Sequence, residues 1–429
     1  MEPRYRAPRG TYDIIYPDSE RFESLLETAF KILELHAYRR ISTPVLESTE
    51  LFMRTIGEST DIVTKEMYTF EDRGGEMLTL RPEGTAPVVR AYLERSLFDR
   101  GLPQKLYYAG PMFRRERPQA GRLRQFHQIG AEAIGSEDPF TDAEVISISD
   151  IYFRRLALTD YELVMNSVGC PACRPAYIEE LRDFLLNAGG LCEQCEKRVV
   201  ENPLRVLDCK EERCRAATGD APLIGEGLCS PCREHFEQVL SHIEMMGISY
   251  VIDQRMVRGL DYYVRTAFEF RFNDLGAQNT VCGGGRYDNL AEELGGNPTP
   301  GVGFSLGIER LIMALDAAGI AKDVPGRLDV FVATIGEDGR EAGLRVLSEL
   351  RRAGASADTD HMGRSLKAQM KQASRLRARY ALIVGGDELA RDEVLLRDLD
   401  KSEQRAIQVL NAVSTIMGTL DQQRKKDGD

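Results

Sequence analysis

Arginine residues are concentrated in one short segment of this sequence. Residues 113–124 contain five arginines, arranged around a stretch, 117–121, whose proline and glycine favour a turn. Because a guanidinium group can donate two parallel hydrogen bonds to phosphate oxygens, such a cluster is suited to a phosphorylated ligand. A charged loop exposed to solvent is the alternative, and these residues alone support both interpretations equally.

An unusual set of side chains follows on the outgoing arm of this predicted hairpin. Alternation along a strand places Phe126, Gln128, Gly130 and Glu132 on one face. This face combines an aromatic ring, an amide and a carboxylate, which would suit stacking on a base and hydrogen bonding to a polar amino acid. A solvated sheet face is the alternative. His127 falls on the opposite face, where we expect a structural role.

Eight of the nine cysteines lie between residues 170 and 232, and six of them form three Cys-x-x-Cys pairs. Thiolates with this spacing commonly bind tetrahedral zinc, so one or two structural zinc sites are predicted. Metal-free packing of the thiols is an equally supported alternative, whereas a catalytic metal is disfavoured. Cys282 stands apart and is expected in the core. The predicted zinc ligands are Cys170, Cys173, Cys192, Cys195, Cys209, Cys214, Cys229 and Cys232.

A basic stripe is predicted near the C-terminus. Residues 361–380 contain six lysines and arginines and no acidic residue, although the whole chain has a formal net charge of −12. Spacings of three and four residues place most of these charges on one face of a helix. Against the acidic background, we interpret this face as a phosphate-binding surface rather than a solvated one. It comprises Arg364, Lys367, Lys371, Arg375 and Arg379.

Chain length and composition limit the protein class. With 429 residues, of which 42% are hydrophobic and 29% charged, the chain is expected to form two or three globular domains. No apolar run approaches the roughly 18–20 residues that cross a bilayer, and the polar N-terminus is unlike a signal peptide. The cysteines are therefore expected as thiols or metal ligands in a cytoplasmic protein. The negative net charge argues against a protein that coats nucleic acid through its overall charge.

Hydrophobic periodicity predicts the elements that position these residues. An amphipathic helix is predicted over residues 18–37, followed by an extended piece over 41–46. Residues 168–247 are predicted to form an inserted module, and Pro325–Gly326 a linker. Alternating strands and helices after this linker predict a small α/β domain. The remaining predictions are a hairpin over 105–135, strands over 266–272, 328–334 and 380–384, a strand and helix over 301–315, and helices over 340–353 and 364–378.

Three of these segments resemble the three signature motifs of the class II aminoacyl-tRNA synthetases. Residues 18–44 resemble the first motif, the hairpin of residues 105–134 the second, and the Gly-x-Glu-Arg strand–helix of residues 301–310 the third. The resemblance covers essentially the whole chain. The segments that resemble the histidine-specific members of this family are 80–85, 126–128, 257–263 and 283–288.

This resemblance implies an α/β fold class. The expected catalytic core, residues 1–325, is an antiparallel sheet flanked by helices and interrupted by a helical, cysteine-rich insertion over 168–247. An α/β anticodon-binding domain is expected over 328–429. The implied activity is ATP-dependent conversion of histidine to histidyl-adenylate, followed by transfer of histidine to the 3′ end of tRNA(His). ATP would react as its Mg²⁺ complex, structural zinc would not be required for the chemistry, and a homodimer without membrane association is expected.

The resemblance also implies roles for individual residues. Arg114 and Arg258 would be catalytic and hold the α-phosphate from opposite sides, with Arg258 standing where many relatives use a metal ion. Phe126 would stack on adenine. The ATP-binding residues would be Arg114, Glu116, Arg122, Phe126 and Arg310. The histidine-binding residues would be Glu83, Gly84, Thr85, Arg114, Gln128, Glu132, Arg258, Tyr262, Tyr263 and Tyr287. The tRNA-binding residues would be Gln119, near the acceptor end, and Arg364, Lys367, Lys371 and Arg375, on the anticodon arm.

Two other functions remain open from the sequence. The first is a regulatory subunit of ATP phosphoribosyltransferase, which uses the same core as a histidine sensor. Such subunits usually lack the anticodon domain and the ATP-binding arginines, whereas this chain has both. The second is a zinc-stabilised nucleic-acid-binding module. It would explain the cysteines and the basic helix, but not the combination of Glu83, Gln128, Glu132 and Tyr263.

Overall fold

The structure is a computed structural model that describes residues 4–57, 60–119, 121–320 and 327–427. The chain divides into two compact units, Met1–Lys322 and Asp323–Asp429. The predicted linker Pro325–Gly326 lies outside the described residues. None of the described helices is long and apolar enough to span a membrane.

The first unit contains a large sheet, a small sheet and helices around them. In chain order, its strands are β1 (Arg39–Arg40), β2 (Leu46–Ser48), β3 (Tyr68–Glu71), β4 (Met77–Leu80), β5 (Gln104–Phe113), β6 (Gln125–Ile134), β7 (Glu162–Ser167), β8 (Val251–Ile252), β9 (Val264–Arg271), β10 (Thr280–Arg286) and β11 (Gly301–Gly307). Its α-helices are α1 (Asp18–Leu35), α2 (Thr49–Ile56), α3 (Thr85–Glu94), α4 (Pro139–Arg155), α5 (Arg174–Ala188), α6 (Glu193–Glu201), α7 (Leu204–Leu207), α8 (Glu212–Ala217), α9 (Ser230–Met245), α10 (Leu290–Glu293) and α11 (Ile308–Ala317).

Within the described ranges, the large sheet has eight strands in the order β1-β5-β6-β11-β10-β9-β7-β8. Its interior pairs are antiparallel, as expected, and β5 and β6 form the predicted hairpin. The edge pairs β1–β5 and β7–β8 are parallel, so the sheet is mixed rather than purely antiparallel. Each edge strand joins its neighbour through a long connection instead of a hairpin, which is the connection that parallel pairing requires. The small sheet has the order β2-β4-β3; of the extended piece predicted over 41–46, only Leu46 lies in a strand.

Helices cover one face of the large sheet. The predicted amphipathic helix is α1, and its buried residues, including Phe22 and Leu33, join a core formed with α4, α9 and α11. From β6, this core receives Ile129, Ala131 and Ala133. Because side chains alternate along a strand, Phe126, Gln128 and Glu132 point to the opposite face, as the sequence predicts.

The insertion forms the connection between the parallel strands β7 and β8, and its main elements are the helices α5 to α9. It is continuous with the main core, because the last of these helices, α9, packs against α4. His235 on α9 lies 3.2 Å from the carboxylate of Asp142 on α4, which also forms an ion pair with the fully buried Arg286. Burial would raise the pKa of Asp142, but the charge of Arg286 and the hydrogen bond from His235 lower it to about 2. This network anchors the insertion to the sheet.

The second unit is an α/β domain, as predicted. Its strands are β12 (Val330–Thr334), β13 (Ala357–Thr359), β14 (Tyr380–Val384), β15 (Glu393–Asp398) and β16 (Glu403–Gln408), and its helices are α12 (Gly336–Arg352), α13 (Leu366–Arg375), α14 (Gly386–Leu389) and α15 (Ala412–Asp427). The sheet order is β13-β12-β14-β15-β16, parallel in its first three strands and antiparallel in the last three. Helices α12 and α15 pack on one face, and α13 on the other.

Candidate active site

A cavity of about 760 Å³ opens in the first unit, on the face of β6 that carries Phe126 and Gln128. Among the described residues, eight basic and six acidic side chains line it. The cavity therefore has an excess of positive charge in a strongly acidic chain, which favours an anionic ligand. Of the residues predicted from the sequence, Glu83, Thr85, Arg114, Glu116, Arg122, Phe126, Gln128, Arg258, Tyr262, Tyr263 and Arg310 line this cavity.

Arg114 is fixed at the end of the hairpin arm by two contacts. Its Nε donates a hydrogen bond of 3.0 Å to the carbonyl oxygen of Pro82. Its guanidinium carbon lies 5.2 Å from the ring centroid of Phe126, which is within the range of a cation–π contact. Because Nε and the ring hold the group in place, the other guanidinium nitrogens can face a ligand in the cavity.

Arg310 brings a further cation to the same cavity from the start of α11. Its Nε donates to the carbonyl of Gly121 at 3.0 Å, and its Nη1 to the carbonyl of Thr280 at 2.9 Å. Burial and the positive charges of Arg122 and Arg114 lower the pKa of Arg310. The charges of Arg122 and Arg114 therefore disfavour the charged form of Arg310, and an anion bound among the three groups would relieve this repulsion.

Arg258 enters the cavity from the segment before β9. Its Nη1 pairs with the Glu269 carboxylate at 2.5 Å, and Glu269 also accepts hydrogen bonds from Arg271 at 2.9 Å and Thr280 at 3.1 Å. Burial would lower the pKa of Arg258, but Glu269 raises it, so the group stays charged. A Cβ atom at Gly283 would lie 2.5 Å from Nη1, so glycine leaves the room that this arginine occupies. Within the described structure, the buried Nε of Arg258 has no hydrogen-bond partner.

Polar groups suited to an amino acid lie at the start of α3. The Glu83 carboxylate accepts hydrogen bonds from the backbone N–H groups of Thr85 at 2.6 Å and Ala86 at 2.9 Å, which fixes its orientation. Burial raises the pKa of Glu83, and these two N–H groups partly offset the effect. Gln128 Oε1 is buried without a hydrogen-bond partner in the described part of the chain. Such an atom is expected to bind a ligand or water.

Glu132 and Tyr287 are not among the residues that line the cavity; they lie directly behind its wall. Glu132 is 1% exposed and accepts hydrogen bonds from Thr85 Oγ1 at 2.8 Å, Tyr287 OH at 2.6 Å and Tyr108 OH at 3.4 Å. Burial raises the pKa of Glu132 to about 8, even though these donors act in the opposite direction. Gly84 also stays behind the wall, where a Cβ atom would overlap the Tyr108 ring.

Aromatic rings connect the group of hydrogen-bonded residues around Glu132 to Arg258. The Tyr262 and Tyr263 ring centroids are 4.7 Å apart, and those of Tyr262 and Tyr287 are 5.9 Å apart. The Arg258 guanidinium lies 5.7 Å from the Tyr263 ring centroid. Contacts from Arg258 to Tyr263, Tyr262 and Tyr287 therefore lead in turn to the buried carboxylate of Glu132, which accepts the hydrogen bond from Tyr287 OH.

Two acidic residues in this region make contacts that were not predicted from the sequence. Glu269, the partner of Arg258, lies on β9 between the buried residues Phe268 and Phe270. A carboxylate that alternates with buried aromatics was an available signal, because such a group needs a partner on its own face. Glu309 is the second: it accepts hydrogen bonds from His127 Nδ1 at 2.9 Å and His127 N at 3.0 Å. This contact is consistent with the structural role predicted for His127.

The predicted tRNA-binding residues lie in both units. Gln119 is exposed in the hairpin turn, where its backbone pairs with that of Arg122. On α13, Lys367, Lys371 and Arg375 are exposed, and we name them the α13 basic face. Arg364 precedes this helix and differs from them, because its Nε forms an ion pair of 2.5 Å with the buried Asp360. It is therefore less available to an anion than the other three.

Comparisons with known proteins agree with this arrangement. A family model described as histidyl-tRNA synthetase matches residues 10–311, and one described as anticodon binding domain matches residues 329–418. A histidine–tRNA ligase of Halothermothrix orenii is 50% identical over 409 residues, which are 95% of this chain and 98% of that protein. One of Moorella thermoacetica is 51% identical over 401 residues, or 93% and 95% of the two chains. The crystal structure of apo S. aureus histidyl-tRNA synthetase covers 96% of this chain and 99% of its own, with a TM-score of 0.82 and 37% identity. The chain belongs to the histidyl-tRNA synthetase family.

Proposed function

We propose that this chain is a histidine–tRNA ligase, which activates L-histidine with ATP and then esterifies it to tRNA(His). The observation that supports this most strongly is the meeting, in one cavity, of Arg114, Arg122, Arg258 and Arg310 with the polar groups of Glu83, Thr85 and Gln128. The first set suits a triphosphate, and the second an amino acid. The family assignment agrees with both ligands.

In the first step, a carboxylate oxygen of histidine attacks the α-phosphorus of ATP, and pyrophosphate leaves with the electrons of the broken P–O bond. Negative charge increases on the α-phosphate oxygens as the new bond forms, so fixed cations around them lower the barrier. We assign this role to Arg114 and Arg258. Arg122 and Arg310 then hold the outer phosphates, with Glu116 orienting Arg122 at 3.2 Å, while Phe126 stacks on adenine. Magnesium accompanies ATP as its counter-ion.

Histidine recognition is assigned to the opposite end of the cavity. A neutral imidazole has one N–H donor and one acceptor nitrogen, so it needs two partners of matching type. Glu132 and Tyr263 would supply them, with Gly84, Tyr262 and Tyr287 shaping the slot, and Glu83, Thr85 and Gln128 would bind the amino and carboxylate groups. A slot that hydrogen-bonds its substrate rejects analogues without those groups by about 10⁴–10⁵.

In the second step, a hydroxyl group of the terminal adenosine of tRNA(His) attacks the carbonyl carbon of the adenylate, and AMP leaves. We assign the acceptor end to Gln119 in the exposed turn, and the anticodon arm to the α13 basic face. We further propose that the protein works in the cytoplasm as a homodimer, by analogy with the first class II motif.

Histidine-dependent exchange between ATP and labelled pyrophosphate tests the proposal. We expect exchange with histidine and none with the other amino acids. Saturable binding of histidine without exchange would instead indicate a regulatory histidine sensor. Binding of nucleic acid with neither activity would indicate a zinc-stabilised binding module.

A further inference from the structure

The eight clustered cysteines separate into two groups of four. One group contains Cys170, Cys173, Cys229 and Cys232; the other contains Cys192, Cys195, Cys209 and Cys214. Within each group, all four sulfur atoms lie within 4.8 Å of one another. The groups are nested in the sequence, since the second lies entirely within the loop that the first closes. We name them the outer and the inner cluster.

The distances between sulfur atoms match those around a tetrahedral metal ion. In the outer cluster, Cys170 Sγ lies 3.8 Å from the sulfurs of both Cys173 and Cys229, and Cys173 Sγ lies 3.9 Å from that of Cys232. Four thiolates at about 2.3 Å from a zinc ion are separated from one another by about 3.8 Å. A disulfide would require about 2.05 Å. We propose that each chain binds two structural zinc ions, one in each cluster.

Backbone N–H groups support thiolate ligands in both clusters. The N–H of Cys170 donates to Cys173 Sγ at 3.3 Å in the outer cluster. In the inner cluster, the N–H groups of Cys192 and Cys195 donate to Cys214 Sγ at 3.2 Å and Cys192 Sγ at 3.4 Å. Such backbone hydrogen bonds to the sulfur atoms stabilise the charge of thiolates and orient them. Four sulfur ligands select zinc over the hard cations, which prefer oxygen.

Short helices lie within the part of the chain that the inner cluster spans. Helix α7 has four residues and α8 has six, and helices of this length are unstable in isolation. The inner cluster draws its ligands from both ends of this region, at the start of α6 and in and around α8. A bound ion would therefore hold these short helices together, in addition to the apolar contacts of Val199 and Val206 with the core.

Each cluster is connected to one wall of the cavity. Next to the outer cluster, Arg174 donates to the carbonyl oxygen of Val168 at 2.9 Å and to that of Tyr263, a cavity residue. In the inner cluster, Cys209 itself lines the cavity, together with its neighbours Asp208 and Lys210. We infer that the two zinc ions fix these walls, acting on structure and not as catalytic metals.

Metal analysis tests the sites without reference to the proposed reaction. Protein purified without chelator should contain two zinc ions per chain. Cys192→Ser should lose the inner ion and keep the outer one, whereas Cys282→Ser, which alters the ninth cysteine, should keep both. Because a substituted chain can misfold, the unsubstituted chain is also stripped and titrated with Co²⁺, which should give two equivalents with tetrathiolate spectra. Fewer than two equivalents, or disulfides detected by intact mass, would overturn the proposal.

Hydrogen exchange tests the effect on the cavity walls. In the zinc-free chain, amides in residues 207–210 and 258–263 should exchange at least about tenfold faster than in the loaded chain, because their anchors open more often. Amides of α12, in the second unit, serve as the control and should not change. Equal protection of both cavity segments with and without zinc would show that the ions do not brace the walls.

Discussion

Replacing Arg258 with alanine removes one of the two guanidinium groups assigned to the α-phosphate. Losing a fixed donor aimed at developing charge typically lowers kcat by about 10²–10³. We therefore expect the maximal rate of histidine-dependent pyrophosphate exchange to fall by at least about a hundredfold. Exposed Arg54, whose ion-pair partner in the described part of the chain is Glu50 on α2, provides a matched control, and Arg54→Ala should keep the full rate.

The structure also predicts that this variant folds. Breaking a buried ion pair is costly when it leaves a charge without a partner. Here Glu269 retains hydrogen bonds to Arg271 at 2.9 Å and Thr280 at 3.1 Å, so the loss approaches that of a single charged hydrogen bond, about 1.5–3 kcal/mol. Denaturant unfolding measures this loss separately from the rate.

A second variant separates catalysis from positioning. Glu269→Gln keeps the guanidinium but weakens its anchor, so we expect a smaller fall in the exchange rate than in Arg258→Ala. If Arg258→Ala folds and its exchange stays within about threefold of the unsubstituted rate, which corresponds to less than about 1 kcal/mol, then the phosphate role of Arg258 is refuted.

Three further predictions follow from particular contacts. Because the pKa of Glu132 is raised from 4.5 to about 8, the stability linked to its proton is present below pH 4.5 and is lost as the pH rises to 8. The free energy of unfolding, measured between pH 5 and 8, should therefore change less with pH in Glu132→Gln than in the unsubstituted chain, by up to about 1.4 kcal/mol per pH unit. Equal pH slopes of the two proteins would contradict this. Gly303→Ala should destabilise the chain by about 1–3 kcal/mol, because its Cβ atom would overlap the Glu132 carboxylate, whereas Gly307→Ala meets nothing within 4 Å. Similar unfolding midpoints for the Gly303→Ala and Gly307→Ala variants would refute the close approach of Gly303 to Glu132. Reversing the charges of the α13 basic face should weaken tRNA binding and flatten its salt dependence without changing pyrophosphate exchange; an unchanged tRNA affinity would exclude this surface.

Much of the fold could be predicted because periodicity is a local property. The apolar spacing of α1 and the alternation along β6 each specify a buried face without knowledge of any partner. The two-residue edge strands, Arg39–Arg40 and Val251–Ile252, could not be predicted, because they exist only through pairing with strands distant in the sequence. The same holds for β15 and β16, whose residues lack a strong alternating pattern of their own.

In the candidate site, the motifs predicted which residues take part, but not whether each one lines the cavity or lies behind its wall. The resemblance implies that Glu132 and Tyr263 contact the same imidazole ring, which stays a prediction. In the structure, Tyr263 lines the cavity, and Glu132 lies directly behind its wall, where it accepts a hydrogen bond from Thr85. The position of a side chain relative to the cavity wall depends on packing in three dimensions, which alternation along one strand does not describe. Similarly, Cys-x-x-Cys spacing indicated metal ligands, but only the fold shows that the first and third pairs share a cluster.

The proposed mechanism requires that the arginines and the imidazole-binding slot belong to the same cavity. A crystal structure with a non-hydrolysable analogue of histidyl-adenylate tests it most directly. We predict that the group replacing the α-phosphate lies within about 2.7–3.2 Å of nitrogen atoms of Arg114 and Arg258, and that the imidazole forms hydrogen bonds with Glu132 and Tyr263. An analogue bound with its imidazole away from Glu132, or with neither arginine at the phosphate position, would refute the proposed mechanism.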